Sequence, residues 1–249
     1  MNMEFRLLLS GENSAAMNMA IDEAVMRAQI PTLRLYGWRP SAVSIGYFQG
    51  IEQEVDAGMC KKLGVDIVRR MTGGGAVFHD KEITYSFFVS EDSDLVSRDI
   101  LKSYGQICNG IVLGLRRLGL SPEFKPINDI IVNGQKISGN AQTRKDGMIL
   151  QHGTVLLEVD VKKMFSLLKV PDEKIRDKMI AAAEDRVTSL NDELRAAIDT
   201  EKVNEALVLG FKEALNLTPK PGMLSESEKR EAENLCKTKY STREWSYMR

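Results

Sequence analysis

Apolar positions in the first 160 residues fall into short blocks and alternations broken by turn residues, whereas most of those in the last 90 recur at helical spacing. EFRLLLS (4–10) predicts a first strand ended by Gly11. Met17, Ala20, Ile21, Ala24, Val25 and Ala28 then form one stripe, which predicts a helix over 13–30 capped by Asn13 or Ser14 and stopped by Pro31. Strands are predicted at 32–38 and 42–47, joined through Arg39-Pro40-Ser41. One helix is expected over 53–64, closing at Gly64, followed by strands at 65–70, 76–80 and 83–90. Ile100, Ile107, Ile111, Leu115 and Leu118 mark a long helix over 97–119, with Ser97 as its cap and Gly119 as its stop.

Two dipeptides set the fold class. Asn133-Gly134 and Asp146-Gly147 each sit between strand-like runs and predict tight hairpins. Hairpins require antiparallel pairing, so the long helices between strands do not imply a doubly wound sheet. The expectation is an α+β fold with a mixed, largely antiparallel sheet flanked by helices. Helices follow at 160–170, from Pro171 onward, at 199–215 and at about 225–240, with 216–227 reading as a linker to the last.

Composition narrows the picture only a little. A chain of 249 residues can bury a sizeable core as a single domain over 1–249. A net charge of -1 argues against a broad nucleic-acid-binding surface. Cys60, Cys108 and Cys236 are far apart and match no metal spacing, as expected of free thiols in a reducing cytoplasm. No apolar run approaches the roughly 20 residues of a membrane span, so no membrane partner is expected.

Candidate chemistry concentrates in RRMTGGGAVFHD (69–80). Three successive glycines give a bare backbone whose N–H groups can cradle an anion. Arg69 and Arg70 should point to opposite faces of a strand, so only one should reach a site there. The loop is neither a phosphate-binding P-loop nor a dinucleotide fingerprint, since the required spacings are absent. In GQKISGNAQTR (134–144), Lys136 lies two residues past a hairpin turn. It could be an edge charge or a compact cation placed to hold anionic groups. Asn128 and Asp129 precede that hairpin, as a turn or as polar partners of the lysine. With only His79 and His152, and no recognisable serine or cysteine partner for either, a nucleophile–histidine mechanism carries low weight.

Taken together and in order, RRMTGGGAVFHD, NDI, KISGNAQTR and LQHGT, with NMAIDEA and SIGYFQ, resemble the lipoate–protein ligase family over roughly residues 4–249. That resemblance implies a catalytic domain similar to those of biotin protein ligases and class II aminoacyl-tRNA synthetases. It implies an ATP-dependent, adenylate-forming ligase, with ATP and Mg2+ as cofactors and lipoate as substrate. The expected acceptors are lipoyl domains of 2-oxoacid dehydrogenase complexes and the glycine-cleavage H protein. Lys136 is then the catalytic residue and also contacts lipoate and nucleotide. Arg70, Gly75, Ala76, Val77 and Phe78 bind ATP; Gly73, Gly74 and His79 contact lipoate; Asp129 contacts magnesium. Many members continue into a further small domain, so a separate accessory protein is expected in its place. The nearest rival is an octanoyl or lipoyl transferase of the same fold. Such enzymes commonly run through a cysteine thioester, which needs an activated thiol beside the lysine-bearing strands. A non-catalytic lipoate-binding module is the other alternative, although both the lysine and the arginine are retained.

Overall fold

The computed structural model describes residues 3–170 and 173–249. In chain order the elements are β1 (Met3–Asn13), α1 (Ala15–Ala28), β2 (Thr32–Trp38), β3 (Ala42–Ile45), α2 (Ile51–Glu54), α3 (Ala57–Leu63), β4 (Asp66–Arg69), β5 (Val77–His79), β6 (Glu82–Ser90), α4 (Ile100–Arg117), β7 (Pro122–Lys125), β8 (Asp129–Val132), β9 (Gln135–Lys145), β10 (Met148–Leu156), α5 (Val161–Leu167), α6 (Glu173–Glu184), α7 (Leu190–Leu194), α8 (Thr200–Leu215), β11 (Leu217–Pro221), α9 (Glu226–Leu235) and α10 (Arg243–Ser246). A π-helical turn over Cys236–Tyr240 joins the last two helices.

The expected mixed, mainly antiparallel sheet is present. Its strand order is β11-β1-β2-β6-β10-β9-β8-β7. Only the β11-β1-β2 pairings are parallel; the rest are antiparallel. Both predicted hairpins form, with positive φ at Asn133, Gly134, Asp146 and Gly147, the backbone that two-residue hairpin turns demand. A smaller sheet, ordered β4-β3-β5, lies apart from the large one.

Strand alternation gives the large sheet two unlike faces. Leu33, Leu35, Tyr85, Phe87 and Ile149 join Ile107, Ile111, Leu115, Leu207 and Phe211 of α4 and α8 in one apolar core. The in-between residues of the same strands face α1 and α9, where Tyr36, Phe88 and Leu150 meet Met19, Val25 and Leu235. On this second face several in-between residues are polar, among them Arg34, Thr84, Ser86 and His152, all buried. Such polar burial requires partners, and it marks this face as the one that carries chemistry.

Helices α4 and α8 pack backbone against backbone. A Cβ on Gly210 would lie 2.2 Å from the Gly110 carbonyl oxygen and 2.3 Å from the Gly114 nitrogen. Gly210→Ala should therefore lower unfolding free energy by about 3 kcal/mol in urea titrations, the upper part of the overpacking range. Gly105→Ala, whose Cβ would meet only the Phe124 ring at 3.5 Å, should be close to neutral in the same assay.

Four sequence expectations are corrected. Gly11 does not end the first strand; it sits at a register shift inside β1, with φ +60°. The helix expected over 53–64 is two, because Val55 is extended and Asp56 caps α3 through Met59 N–H. Asp99 rather than Ser97 caps α4. The stretch 216–227 is not merely a linker, since Leu217–Pro221 forms an edge strand parallel to β1. Its prolines, Pro219 and Pro221, suit an edge position. Pro171, expected to begin a helix, lies outside the described residues.

Candidate active site

A cavity of about 640 Å³ opens beside the polar face of the large sheet, bounded by β5, the glycine loop and the β9 strand. Arg70, Gly74, Gly75, His79 and Lys136 all line it, with apolar wall from Met19, Tyr36 and Trp38. Ala76, Val77 and Phe78 complete one side. The glycine loop and Lys136, some sixty residues apart in the chain, are thus brought to one site by strand pairing.

The two arginines diverge as alternation requires. Arg69 is fully buried and donates to the carbonyls of Gly46, Tyr47, Gln49, Trp245 and Ser246. It ties the C-terminal segment to β4 and does not line the cavity. Arg70 turns inward. Its Nη2 donates to the carbonyls of Gly73 (2.8 Å) and Gly75 (2.7 Å), its Nη1 to Ser44 O (3.0 Å) and Oγ (3.1 Å), and its Nε to Thr72 Oγ1 (3.2 Å). These acceptors are all neutral, and desolvation pulls its pKa down to about 10. Arg70 therefore shapes the loop with its N–H groups and offers the cavity an uncompensated positive charge. Gly46 supports the loop from behind: a Cβ there would lie 2.0 Å from the Gly74 carbonyl oxygen. Gly74 itself has φ +94°, a conformation that favours glycine.

Lys136 is fixed by its backbone on both sides. It pairs with Ile131 of β8, donates its N–H to Arg186 O (2.7 Å) and accepts from Thr188 N–H (2.9 Å). A register shift between Ile130 and Ile131 puts Ile137 in the core, while Lys136 and Ser138 both border the cavity. The ammonium lies 2.6 Å from Asp129 Oδ1. It folds over Gly139, where a Cβ would come within 2.8 Å of both Cε and Nζ. The side chain remains about 40% exposed, so the amine is available to a ligand. Asp129 Oδ1 is thus held by an ammonium, and no group of three or more His, Cys, Asp or Glu gathers among the described residues. A divalent cation on that oxygen would have the Lys136 ammonium as its neighbour.

Both histidines are buried in paired networks. His79 Nδ1 is 2.6 Å from Glu82 Oε1, its Nε2 is 2.7 Å from Ser44 Oγ, and its ring stacks on Trp38 at 4.0 Å. His152 Nε2 is 2.6 Å from Thr72 Oγ1, and its Nδ1 is 3.7 Å from Asp22 Oδ2. Asp22 also accepts from Arg34 Nη1 (2.6 Å) and Ser86 Oγ (2.7 Å). Desolvation lowers the His152 pKa below 6.5 in spite of Asp22. The unfolded chain therefore binds a proton at that site that the folded chain refuses, and stability is lost as pH falls through 6.5 toward the folded value. His152→Gln should flatten the fall in Tm between pH ~7 and ~5, measured by thermal scans.

Of the residues that sequence reasoning grouped, Lys136, Arg70, Gly74, Gly75 and His79 line one cavity, and Gly73 does not line it. Sequence reasoning missed Asp22, Arg34, Trp38 and Glu82. Asp22 and Arg34 sit in ordinary-looking helix and strand sequence; the available signal was a charged residue at an apolar-face position of each.

Residues 14–212 match the lipoyl protein ligase A/B catalytic domain, and the chain belongs to that family. It is 42% identical to octanoyltransferase LipM of Kyrpidia tusciae, covering 98% of both chains, and 34% identical to octanoyltransferase LipM of Bacillus subtilis, again covering 98% of both. Among solved structures, a bi-partite lipoate protein ligase from Thermoplasma acidophilum superposes with TM-score 0.91 at 36% identity, over 99% of this chain and 97% of that one. A lipoate-protein ligase A bound with ATP superposes with TM-score 0.85 at 33% identity, over 98% and 99%.

These relatives correct the expected activity. The octanoyltransferases align over nearly their whole length, and their name is that of an enzyme that moves an octanoyl group. Such a transfer starts from an activated acyl donor and has no nucleotide-consuming step. The names of these relatives overturn the expectation of an ATP-dependent ligase, and adenylation with ATP and Mg2+ finds no support among these octanoyltransferases. Among the described residues no helix is long and apolar enough to cross a membrane.

Proposed function

We propose that the chain is an acyltransferase that moves an octanoyl group, or its lipoyl counterpart, from a thioester donor to a lysine of a lipoyl-acceptor domain. The observation that carries this reading is that the Lys136 ammonium and the glycine loop border one cavity, in a chain related over its full span to octanoyltransferases. Acyl transfer builds negative charge on a carbonyl oxygen, and a preplaced cation stabilises it. Lys136 supplies that cation, while Gly74 and Gly75 on the cavity wall let the reacting groups approach the backbone closely. Gly75 to Phe78 form the wall along which the donor lies. The apolar tail is taken by the Met19, Tyr36 and Trp38 side of the cavity, at about 0.8 kcal/mol per buried methylene. His79 closes the floor of that region, and Arg70 keeps the loop in shape.

Lipoyl domains of 2-oxoacid dehydrogenase complexes and the glycine-cleavage H protein are the acceptors in this reading. The bi-partite neighbour is a two-part ligase, but the transfer proposed needs only donor and acceptor. The test is an incubation of the chain with octanoyl–carrier-protein thioester and an apo lipoyl domain, read by intact mass. Addition of one octanoyl group to the acceptor, absent when its target lysine is replaced, is the expected result. An acceptor that stays unmodified would remove the reading.

A further inference from the structure

A second groove, of about 870 Å³, lies at the β7 end of the large sheet, apart from the cavity that holds Lys136. It runs along the solvent-facing side of α4, with β7 as its other wall. Lys102 and Arg116 border it near the two ends of that helix, so at 1.5 Å per residue it extends for about 21 Å. Val112, Pro122 and Phe124 supply its apolar lining. Ile100 and Leu101, in the first turn of α4, are exposed just before Lys102, and Ile127 is exposed just past β7.

Positive charge prevails along this groove. Lys102, Arg116 and Lys125 of β7 are exposed, and no carboxylate among the described residues pairs with any of them. Arg144, from β9, reaches the Ser97 end. Its guanidinium donates to the carbonyls of Arg98 (2.6 Å) and Ser97 (3.3 Å) and to Ser103 Oγ (3.1 Å), all neutral acceptors. Its Nε is buried without a partner among the described residues. On the acidic side, Glu123 is the one carboxylate among the described lining residues, and Asp99 is engaged in capping α4 through Lys102 N–H at 2.9 Å. Unpaired cations beside exposed apolar side chains suit a protein surface of opposite charge.

We propose that the α4–β7 groove docks the protein that carries the acyl thioester, through an acidic amphipathic helix of that carrier. The proposal rests on the acyltransferase reading. Such a helix lays its apolar side on Val112, Pro122 and Phe124 and its carboxylates against Lys102 and Arg116. Reach separates the carrier from the acceptor. β7 pairs with β8 and β8 with β9, so the groove's strand stands two strand spacings, roughly 10 Å, from the strand of Lys136. The groove also opens on the α4 face of the sheet, whereas the cavity lies on the α1 face. An acceptor lysine has only a four-carbon stem, so its domain must sit at the cavity mouth itself. A carrier that holds its acyl group on a long flexible arm can dock to one side and pass the arm round the β7 edge. Lys125 stands opposite Asp129, the partner of Lys136, so that edge is cationic as far as the site.

The test is steady-state transfer to an apo lipoyl domain from two donors, octanoyl–carrier-protein thioester and the small thioester octanoyl-N-acetylcysteamine. The unmodified full chain is compared with K102E/R116E, its folding checked by circular dichroism. The variant should raise KM for the carrier-protein donor about tenfold or more and keep kcat. Its KM for the acceptor, and kcat/KM for the small thioester, should stay within about twofold. Raising salt from about 0.05 to 0.3 M should raise KM for the carrier-protein donor in the unmodified chain and much less in the variant. Leu101→Asp, an exposed first-turn change that a helix N-terminus accepts, is the second variant. Should K102E/R116E not fold, Leu101→Asp carries the comparison, with that KM raised about threefold. An unchanged KM for the carrier-protein donor in a folded variant overturns the proposal. So does a rise confined to the acceptor, or an equal loss with the small thioester. If the unmodified chain transfers from neither donor, the acyltransferase reading falls, and the docking proposal with it.

Discussion

Lys136→Met is expected to lower octanoyl transfer by about 10²–10³-fold while leaving the Tm unchanged, the magnitude typical of deleting one preorganised donor to a developing oxyanion. The reasoning has two parts. The Lys136–Asp129 pair is partly exposed, with 40% and 34% of the side chains accessible. Exposed pairs contribute about 0–1 kcal/mol, so folding should not register the loss. The amine itself has no substitute at that point, because the niche over Gly139 is formed by the missing Cβ. Lys136→Arg should not restore the rate, since a planar guanidinium replaces a compact ammonium in that niche. Steady-state rates with saturating acceptor, alongside thermal scans, would check both statements; a Lys136→Met protein retaining more than about half its rate would be incompatible with the assigned role.

Asp22→Ala should have the largest effect on stability, about 3–5 kcal/mol, because it strands a fully buried guanidinium. Asp22 is 1% exposed and Arg34 is fully buried, and the carboxylate also serves Ser86, Tyr36 and His152. Burial pushes the Asp22 pKa up, but Arg34 and His152 together more than offset this and leave it below 3.8. Its stabilising contribution is therefore present above pH 3.8 and is lost as pH falls through the lower folded value. Urea titrations should show a lower midpoint at unchanged slope. Lys229→Ala, which breaks an exposed pair with Glu226, should leave the urea midpoint unchanged.

The sequence was most readable where local rules act alone. The two hairpins at Asn133-Gly134 and Asp146-Gly147 needed only turn chemistry, and α1 needed only its stripe and the Ser14 cap. It was least readable where tertiary pairing overrides local pattern. Leu217–Pro221 looks like a proline-rich linker, and only the exposed edge of β1 makes it a strand. The break at Val55 is set by its bridge to Leu168, far away in the chain. The cavity residues with distinctive motifs were found together, as Lys136 and the glycine loop show. Glu82 and Asp22 were not, because their importance comes from partners on other strands and helices. Motif resemblance also overreached at the level of activity: the same lysine and loop suit any reaction that gathers negative charge at an acyl carbonyl, and it is the octanoyltransferase relative at 42% identity, not the motif, that speaks against ATP-dependent ligation.

The central claim is best tested by a single-turnover reaction in nucleotide-free, metal-chelated buffer. Enzyme, octanoyl–carrier-protein thioester and apo lipoyl domain are mixed, and free thiol release and acceptor mass are followed in the same samples. The account predicts one thiol released for each octanoyl group gained by the acceptor, with matching time courses. An acceptor modified only when free octanoate or lipoate and ATP are supplied, and untouched by the thioester, would contradict it.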